Sequence, residues 1–598
     1  IYFSWLIYWG KMKGLLNGIA EAIILLASLA SFFVLIYQFG FVQTPDSVHI
    51  LERSRPFILL AFFTGITLRY VVRFQEIIQE KMLYLDISIY FLLFAVLSSK
   101  IFFKDAIAHS LPYLSFLTKP LFVYVLLLLL STIHLSRQTF TLMQTRIKPS
   151  LLFLLSFVFV ILVGAGLLSL PNATTHRIPF IDALFISTTS VCVTGLTTVD
   201  VATSFTHIGH IIILILIQIG GIGVMTFTSF FALSFMGKSS FTSKMMLKDM
   251  LNEDRTGGLF RVILNILFVT LFIEGIGAYF IYMDVRGSLP GGTQQELFYA
   301  MFHAVSAFCN AGISTLSGNM YDPLVADKYN LHFWIAMLII FGGLGFPIVF
   351  NYLKLLHHLL MNGIKILIGK QKHYIHTPRI INVHTYIVVI STLILLITGT
   401  AFYLFFEYDN TLGDLPLRGK LANAFLGAVT PRTAGFNVAD MATLAPPTLM
   451  LTLILMVIGA APMSTGGGLK VTTVFVALVT TLNAAREKDK VEVRKREIAI
   501  RRAFAIIMMY FMWVAIATWV LSYTEKGAPL FSLLFEVVSA LSTVGLSIDY
   551  TPHLTPIGKI IIISTMLVGR IGVLAFLVSF CKEYTKKDYT YPQENILM

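Results

Sequence analysis

The chain has 598 residues, of which 57% are hydrophobic and 13% are charged. Soluble domains have about 45–50% apolar and about 25% charged residues, so this composition excludes a soluble globular protein and predicts an integral membrane protein surrounded by lipid. The net charge of +13 does not indicate a nucleic acid partner, because the basic residues gather in a few loops. The three cysteines lack metal-ligand spacing, so neither a zinc site nor a disulfide framework is expected.

The first part of the chain, residues 1–147, is predicted to form extra transmembrane helices. Four hydrophobic segments lie there, near Leu15–Phe41, Pro56–Val72, Leu83–Leu97 and Pro120–Ile133. An even number of crossings keeps the basic residues at their ends on one side of the membrane. We expect this region to serve packing or assembly.

Longer apolar runs follow, and each reaches the roughly 20 residues that cross about 30 Å of hydrocarbon. They are Ser150–Leu170, His207–Phe227, Leu331–Phe350, Thr385–Phe406 and Lys559–Phe580. Each of these runs is predicted to be one membrane-spanning helix. Their number shows that membrane helices form the body of the protein.

Charge in the loops predicts the orientation. Basic clusters lie at Lys238–Arg261, Lys365–Arg379 and Arg486–Arg502, and the positive-inside rule makes them cytoplasmic. Acidic residues match or outnumber basic ones at Asp284–Glu296, Gly318–Asn330 and Glu407–Asp414, which are predicted to be external. The prediction is a multi-pass protein of the plasma (inner) membrane, with both ends of the region after residue 147 in the cytoplasm.

The most specific feature of the sequence is an internal repeat. Four segments share an apolar helical stretch, then small and hydroxyl residues, then a glycine followed by Leu, Ile or Phe. Their glycines are Gly195, Gly312, Gly435 and Gly545, at intervals of 117, 123 and 110 residues. The segments read DALFISTTSVCVTGLTTVD, ELFYAMFHAVSAFCNAGIST, KLANAFLGAVTPRTAGFNVAD and SLLFEVVSALSTVGLSIDY. One structural unit is therefore expected four times.

Each segment lies between two hydrophobic runs, which predicts a unit of helix, re-entrant pore helix and helix. An apolar stretch of about 10–14 residues is too short to span a bilayer. The non-helical tail after it has to be buried in protein or line a water-filled path. The predicted fold is all-α and polytopic, with four such units in a pseudo-fourfold arrangement. Their predicted limits are residues 148–237, 238–363, 364–485 and 486–598.

The residues of the four tails predict the transported ion. None of them is charged, and rings of backbone carbonyls can replace the water shell of a monovalent cation. Glycine most easily adopts the dihedral angles that point successive carbonyls inward. A glycine can instead serve close helix packing, but four in register favour a pore. The predicted ion-binding residues are Val193, Thr194, Gly195, Asn310, Ala311, Gly312, Thr433, Ala434, Gly435, Thr543, Val544 and Gly545.

Two features interrupt the apolar helices that follow the third and fourth tails. Pro462 and a glycine triplet from Gly466 predict that the helix after the third tail is broken within the membrane. Arg570, in MLVGRIGVLAF, is a charge inside the membrane and needs a partner. The predicted partner is Glu536 on the fourth pore helix, and the pair can be structural or can belong to a gate.

These motifs resemble the Trk/Ktr/HKT superfamily of potassium transporters, and most of all its bacterial TrkH and KtrB members. The resemblance covers roughly Lys148 to Lys587 and rests on SVCVTGLTTVD, AFCNAGIST, TPRTAGFN, STVGLS and GAAPMSTGGGLKVTT. It implies a homodimer with one pore in each chain, potassium as the transported ion and no covalently bound cofactor. Gly195 favours potassium, because some sodium-conducting plant members have serine at this position.

The resemblance also implies a gate. The family has an intramembrane gating loop at the break in the third inner helix, with a basic residue nearby that faces the pore. Met463 departs from the glycine that is common after this proline in relatives. The implied gate residues are Gly459, Pro462, Ser464, Thr465, Gly466, Gly467, Gly468, Lys470 and Arg570.

A cytosolic partner is implied in the same way, because relatives are opened by a nucleotide-binding ring of the TrkA/KtrA type. Residues Arg486–Arg502 would be its docking surface, unless their charge only sets the orientation. Two alternatives to a potassium pathway remain: a proton- or sodium-coupled symporter that uses Glu274 or Glu536, and a less selective sodium/potassium conductor. A membrane enzyme is disfavoured, because it would place His, Asp or Glu clusters at one depth.

Overall fold

The computed structural model describes residues 2–77, 83–101, 119–143, 149–223, 259–368, 383–486, 492–493, 496–497 and 501–581. Almost all of this part of the chain is α-helical, as predicted; a short strand pair joins Glu492–Val493 to Arg496–Glu497. Five of the described helices are long and apolar enough to cross a membrane, or seven if each of two sharply bent helix pairs is one span. In the first predicted basic cluster, Lys238–Arg255 lie outside the described residues and Arg261 lies in a described helix. Lys370–Arg379 of the second cluster and residues 487–491, 494–495 and 498–500 of the third also lie outside the described residues.

The four predicted N-terminal helices are present and form a bundle with a core of its own. They are Tyr2–Gly40, Pro45–Ile77, Leu83–Ile101 and Pro120–Met143. Phe62, Leu93 and Leu127 are among the side chains buried between them. The first two are long and apolar enough to span a membrane, and the last two contain shorter apolar stretches. The end of the first helix meets the rest of the chain where Asn172 N donates to Gly40 O at 3.0 Å.

Four units of one pattern follow, which we number repeats 1 to 4, each with an outer helix, a pore helix and an inner helix. The outer helices are Pro149–Leu168, Leu259–Val285, Val383–Glu407 and Arg501–Thr524. The pore helices are Phe180–Cys192, Gly292–Phe308, Leu417–Val429 and Leu530–Leu541. The inner helices, or their first parts where they are bent or broken, are His207–Ile222, Tyr329–Leu344, Pro446–Val457 and Pro556–Ile571.

The pore helices pack against the inner helices at the centre of one large hydrophobic core. The contact is so close that three inner helices have glycine at the same position. A Cβ atom added there would lie 2.8–3.0 Å from a carbonyl carbon at the end of the neighbouring pore helix. These residues are Gly220, Gly342 and Gly569.

Two inner helices turn sharply, so each of the runs Leu331–Phe350 and Lys559–Phe580, predicted to be one membrane-spanning helix, consists of two helices joined at a bend. In repeat 2 the chain bends by 100° and continues as the helix Phe346–Leu367, and in repeat 4 it bends by 97° and continues as Val573–Phe580. The residues at the bends, Gly345 and Gly572, have φ values of 85° and 92°. A right-handed helix cannot continue through such a backbone conformation.

The inner helix of repeat 3 is interrupted where Pro462 and the glycine triplet predict a break. Its two helical parts are Pro446–Val457 and Val471–Ala484. The residues between them, 458–470, are called the inner loop below. Its position inside the bundle sets the geometry of the candidate site.

Candidate functional site

Each pore helix is followed by a three-residue tail, and all four tails turn in the same way. The first residue of every tail has a positive φ, which only a few per cent of non-glycine residues adopt. These angles are 54° at Val193, 61° at Asn310, 75° at Thr433 and 51° at Thr543. The glycine that closes each tail also has a positive φ, between 67° and 99°. Four widely separated segments therefore share one unusual backbone conformation.

The tails meet at their glycines, and the contacts form a closed ring. Each glycine lies against the carbonyl oxygen of the residue before the glycine in the next repeat. A Cβ atom added to Gly195, for example, would lie 2.6 Å from Ala311 O and 3.2 Å from the Cα atom of Gly545. The pairs are Gly195 with Ala311, Gly312 with Ala434, Gly435 with Val544, and Gly545 with Thr194. The structure thus brings all four predicted tails together, with space only for glycine where they meet.

Hydrogen bonds from the ends of the pore helices hold the tails. In repeats 1, 2 and 4 the middle tail residue donates its backbone N–H to a carbonyl five residues earlier. The bonds are Thr194 to Thr189 at 2.8 Å, Ala311 to Ser306 at 2.7 Å and Val544 to Ser539 at 2.9 Å. In repeat 3, Ala434 donates to Thr430 O, four residues earlier, at 3.0 Å. The tail backbone is therefore fixed by short-range contacts in every repeat.

Two buried pore-helix side chains hold the segments just beyond the tails, a role that the sequence analysis did not predict. Glu536 accepts hydrogen bonds from Ser547 and, at 2.5 Å, from Thr551 Oγ1. His303 has the equivalent position in repeat 2, and its Nε2 lies 2.9 Å from Ser314 Oγ. Glu536 and His303 each lie nine residues before the tail glycine of their repeat, and the serine that each contacts lies two residues after that glycine. Aligning the repeats on their glycines would have shown this relation.

The predicted pair of Arg570 with Glu536 is wrong. Glu536 accepts hydrogen bonds from hydroxyl groups in the segment that follows the fourth tail. Arg570 lies in the last turn of the inner helix of repeat 4, away from that segment. Its guanidinium donates to two backbone carbonyls, of Thr465 in the inner loop and of Gly220 at the end of the first inner helix. Gly220 O also accepts from Gly223 N at 3.2 Å, and its second lone pair remains available to the guanidinium.

The inner loop is compact and held by its own hydrogen bonds. They join Gly459 N to Leu469 O at 2.9 Å, Ser464 Oγ to Ala461 O at 2.6 Å, and Lys470 Nζ to Gly466 O at 2.6 Å. Met463, where the sequence departs from the family pattern, has a φ of 56°. The loop therefore has a defined shape in which this methionine takes a conformation that glycine adopts at lower cost.

The inner loop lies directly under the tails and contacts the first residue of three of them. Gly467 N donates to Thr543 Oγ1 at 2.9 Å. Thr465 Oγ1 lies 3.2 Å from the side-chain amide of Asn310, which in turn lies 3.1 Å from Thr433 Oγ1. The predicted gate residues thus come together immediately beneath the predicted ion-binding residues.

The glycines of the inner loop are required by the lack of space. A Cβ atom added to Gly466 would lie 2.8 Å from Ala460 Cβ and would also overlap Thr433. One added to Gly467 would lie 3.1 Å from Ser542 O. Gly468 has a φ of 68°, which favours glycine for its backbone. Pro462 lies beside the bend of the second inner helix, where its carbonyl oxygen is 2.8 Å from a Cβ atom added to Gly345.

On the opposite side of the glycine ring, the repeats enclose a cavity of about 280 Å³. The four tail glycines line it, together with Asp200, Asp440 and Asp549. These aspartates follow their glycines by five, five and four residues. Repeat 2 has Ser317 at this place, and its Oγ donates to Asp200 Oδ2 at 2.5 Å. These acids belong to the repeated sequence segments, and aligning the segments on their glycines would have predicted their shared position.

Glu274, a carboxylate within the second outer helix, makes a polar contact beside the second tail. It accepts from Gln218 Nε2 at 3.0 Å, and its other oxygen lies 3.7 Å from Cys309 Sγ. Cys309 directly precedes the tail residue Asn310. Glu274 is therefore packed near the tail and does not line the ring of glycines.

Comparison with known proteins identifies the family. The TrkH family of cation transport proteins matches residues 117–590. Ktr system potassium uptake protein B of Vibrio alginolyticus is 35% identical over 75% of this chain and 94% of the relative. The protein of the same name in Bacillus subtilis is 34% identical, over 75% and 97%. Potassium/sodium uptake protein NtpJ of Enterococcus hirae is 35% identical, over 76% and 98%.

A solved structure shares the fold. The potassium transporter TrkH from Vibrio parahaemolyticus aligns with a TM-score of 0.58 over 83% of this chain and 96% of that chain, at 15% sequence identity. The matching family is one of transporters and not of enzymes, in agreement with the sequence prediction. From its sequence match and its fold, the chain belongs to the TrkH family of cation transport proteins.

Proposed function

We propose that this protein mediates potassium uptake across the plasma (inner) membrane, through a pathway between the four tails. The observation that carries the proposal is the closed ring in which each tail glycine faces a carbonyl of the next repeat. The names of the relatives, which are potassium uptake proteins, support the same ion. Both ends of the region after residue 147 would lie in the cytoplasm, and the limits of the four repeats belong to this proposal.

The tails have the chemistry for a dehydrated monovalent cation. Their backbone carbonyls offer several oxygens at close range, and no tail side chain carries a charge. The carbonyls that border the ring belong to Thr194, Ala311, Ala434 and Val544. Because all four come from one chain, one copy of the chain suffices for a pathway.

The acidic cavity would supply ions to the ring. Three carboxylates in a partly enclosed space attract cations and raise their local concentration. The repeats contribute Asp200, Asp440 and Asp549 to one cavity that also contains the tail glycines. We therefore place the external entrance on this side.

The inner loop and Arg570 would form the gate on the other side. The loop contacts three tails from below, so an ion leaving the ring requires the loop to move. Arg570 and Lys470 add positive charge there, and their hydrogen bonds to Thr465 O and Gly466 O hold the loop in place. Opening would break these bonds.

We also propose that the chain works as a homodimer with a cytosolic nucleotide-binding ring of the TrkA/KtrA type. Two relatives are named as parts of a Ktr system, which supports a second component. Arg486–Arg502 would be the docking surface, as in the sequence prediction. Potassium would be the transported ion, with no covalently bound cofactor.

Coupled symport and lower selectivity are the second candidates. One relative is named a potassium/sodium uptake protein, and Glu274 places a carboxyl group beside the second tail. The test is rubidium influx into liposomes under an imposed negative internal potential, without a proton or sodium gradient. A potassium pathway predicts influx driven by the potential alone. Influx that requires a proton or sodium gradient would support the symporter instead.

A further inference from the structure

The helix Phe346–Leu367 has an unusual direction for a helix in this protein. It follows a membrane-directed inner helix of 16 residues, which is about 24 Å long at about 1.5 Å per residue. An inner helix that begins at the external boundary of a hydrocarbon layer about 30 Å thick would end about 6 Å short of the cytoplasmic boundary, at the bend of Gly345. The bend of 100° would then direct the next helix along that boundary.

One face of this helix is fixed to the protein. Ile348 and Asn362 are buried. Asn351 Nδ2 donates to Thr385 Oγ1 of the third outer helix at 2.7 Å. These residues recur at helical spacing, so the helix has a defined rotation about its axis.

A second face is apolar and exposed. Its side chains are Tyr352, Leu353, Leu356, Leu359 and Leu360, and between 40% and 56% of each is accessible. The last four follow Tyr352 by one, four, seven and eight residues, which places all five on one side of the helix. A helix that lies along the membrane surface would insert this side into the boundary between headgroups and acyl chains.

A third face is basic. Lys354, His357 and Lys365 are exposed on it. The surrounding sequence has no compensating acid, since no Asp or Glu occurs between Lys328 and Phe406. The basic residues lie on the side of the helix opposite the apolar face, and this amphipathic arrangement is typical of helices that bind anionic lipid surfaces. The charge therefore complements a phospholipid headgroup.

The start of this helix contacts the inner loop. Phe346 N donates to Met463 O at 3.3 Å, and the carbonyl oxygen of Pro462 lies beside Gly345. Ile348 also packs with Ala461 in a small buried cluster. A shift of the helix would thus be transmitted directly to the inner loop.

We propose that Phe346–Leu367 is an in-plane helix that binds anionic phospholipid headgroups through Lys354 and Lys365, and that this binding holds the inner loop under the tails. The proposed lipid binding is supported by the direction, the exposed apolar side chains and the charge of the helix. The second half of the proposal rests on the proposed gating role of the inner loop. The two halves are tested separately.

Lipid quenching tests the binding. The full chain carries Cys581→Ser, and a fluorophore is attached at Leu356→Cys in phosphatidylcholine vesicles that contain acyl-brominated phosphatidylglycerol or acyl-brominated phosphatidylcholine. We expect the anionic lipid to quench the probe about threefold more strongly, and K354Q/K365Q to abolish this difference. A probe at Leu393→Cys, half exposed on the third outer helix, is the control and should show no preference. Equal quenching by both lipids at Leu356 would overturn the proposal, as would no quenching at all, which would show that a protein covers this face.

Ion flux tests the link to the inner loop. In vesicles that contain phosphatidylglycerol, we expect K354Q/K365Q to raise basal rubidium flux about threefold, because the helix loses its anchor at the headgroups. In pure phosphatidylcholine vesicles the variant and the unchanged chain should have equal flux. Equal flux in both kinds of vesicle would overturn the link. Absence of rubidium flux through the unchanged chain would instead contradict the proposed function and leave the quenching result standing.

Discussion

Arg570 occupies a position that glycine holds in two other repeats. It lies two residues before the bend glycine Gly572, as Gly221 and Gly343 lie two residues before Gly223 and Gly345. The exchange puts a guanidinium with five N–H donors among carbonyls at helix and loop ends. One side chain thereby joins the fourth repeat to the inner loop and to the first repeat.

Replacing Arg570 by glutamine should increase leak through the pathway. The variant loses the positive charge under the tails and at least one of the bonds that hold the inner loop. We expect basal rubidium flux to rise about tenfold, which corresponds to about 1.4 kcal/mol of barrier height. The measurement is flux per reconstituted protein in liposomes. The control is Arg177→Gln, an exposed arginine just before the first pore helix, and equal flux in both variants would refute the barrier.

The three cavity aspartates should act through their charge. Asparagine keeps the helix-capping ability of Asp200 and Asp440 and tolerates the φ of 54° at Asp549. We expect the triple Asp→Asn variant to lower potassium influx about threefold at low ionic strength, and much less at high ionic strength, because salt screens the attraction. The exposed Asp414→Asn is the control. A loss that does not change with ionic strength would show a structural effect instead.

Sequence patterns predicted which residues form the ring but not what surrounds it. Tail glycines at near-constant intervals mark equivalent backbone positions, so their convergence could be inferred. The partners of Arg570 could not, because Thr465 and Gly220 bind it through backbone oxygens, and every residue has such an oxygen. Looking for an opposite charge as the partner of Arg570 leads to Glu536, but the carboxylate of Glu536 is hydrogen-bonded to hydroxyl groups instead.

The inner loop is an element whose mobility decides between a gate and a static break. Its contacts with the second inner helix allow a direct test, since an ideal Cβ atom of Gly343 lies 3.8 Å from Ala460 Cβ. Disulfides form at Cβ separations of about 3.5–4.5 Å. The pair Gly343→Cys/Ala460→Cys can therefore fix the loop in its present position.

Oxidation of that double variant should stop transport. In a Cys581→Ser background, where Cys192 and Cys309 are buried, we expect oxidation to abolish rubidium flux and dithiothreitol to restore it. Each single cysteine variant is the control and should keep its flux under both conditions. Full flux through the oxidised double variant, with the disulfide verified by mass spectrometry, would show that the inner loop is a static break.

At the scale of elements, Pro462 and the glycine triplet were sufficient to predict the break in the third inner helix. The bends at Gly345 and Gly572 were not predicted, because one glycine in an apolar run is equally typical of close helix packing. Gly342 is in fact a packing glycine, only three residues before the bend. Backbone dihedral angles, and not residue type, distinguish a glycine at a bend from a glycine at a close helix contact.

In the whole molecule, the fourth repeat has to return to the first for the ring to close. A buried ion pair lies at this junction, where Lys559 Nζ and Asp182 Oδ1 are 2.5 Å apart. Their side chains are 13% and 7% exposed. The sequence showed both charges but not the pair, whose members lie in the last inner helix and the first pore helix.

Removing one member of this pair should destabilise the fold. We expect Asp182→Asn to lower the free energy of unfolding by about 3 kcal/mol, because it leaves a buried ammonium group without its carboxylate. Thermal unfolding in detergent measures the effect. The double variant Asp182→Leu/Lys559→Met should recover most of the stability, since it removes both charges together. If the double variant were less stable than Asp182→Asn, the pair would not be the cause.

The fourfold repeat could be predicted at this scale because it depends on periodicity. The membrane orientation rests on loop charge and stays a prediction. The N-terminal bundle shows the limit of that reasoning. Its four helices were predicted, but their contact with Asn172 in repeat 1 depends on tertiary packing that no local pattern encodes.

The ring of four glycines is tested most directly by Gly195→Ser and the potassium-to-sodium flux ratio in liposomes. Gly166→Ser is the matched control, because a Cβ atom there meets no neighbour within 4 Å. A side chain at Gly195 would displace Ala311 O, so we expect the ratio to fall at least about tenfold, a change of about 1.4 kcal/mol in ion discrimination. An unchanged ratio in well-folded Gly195→Ser protein would show that potassium does not pass between these carbonyls.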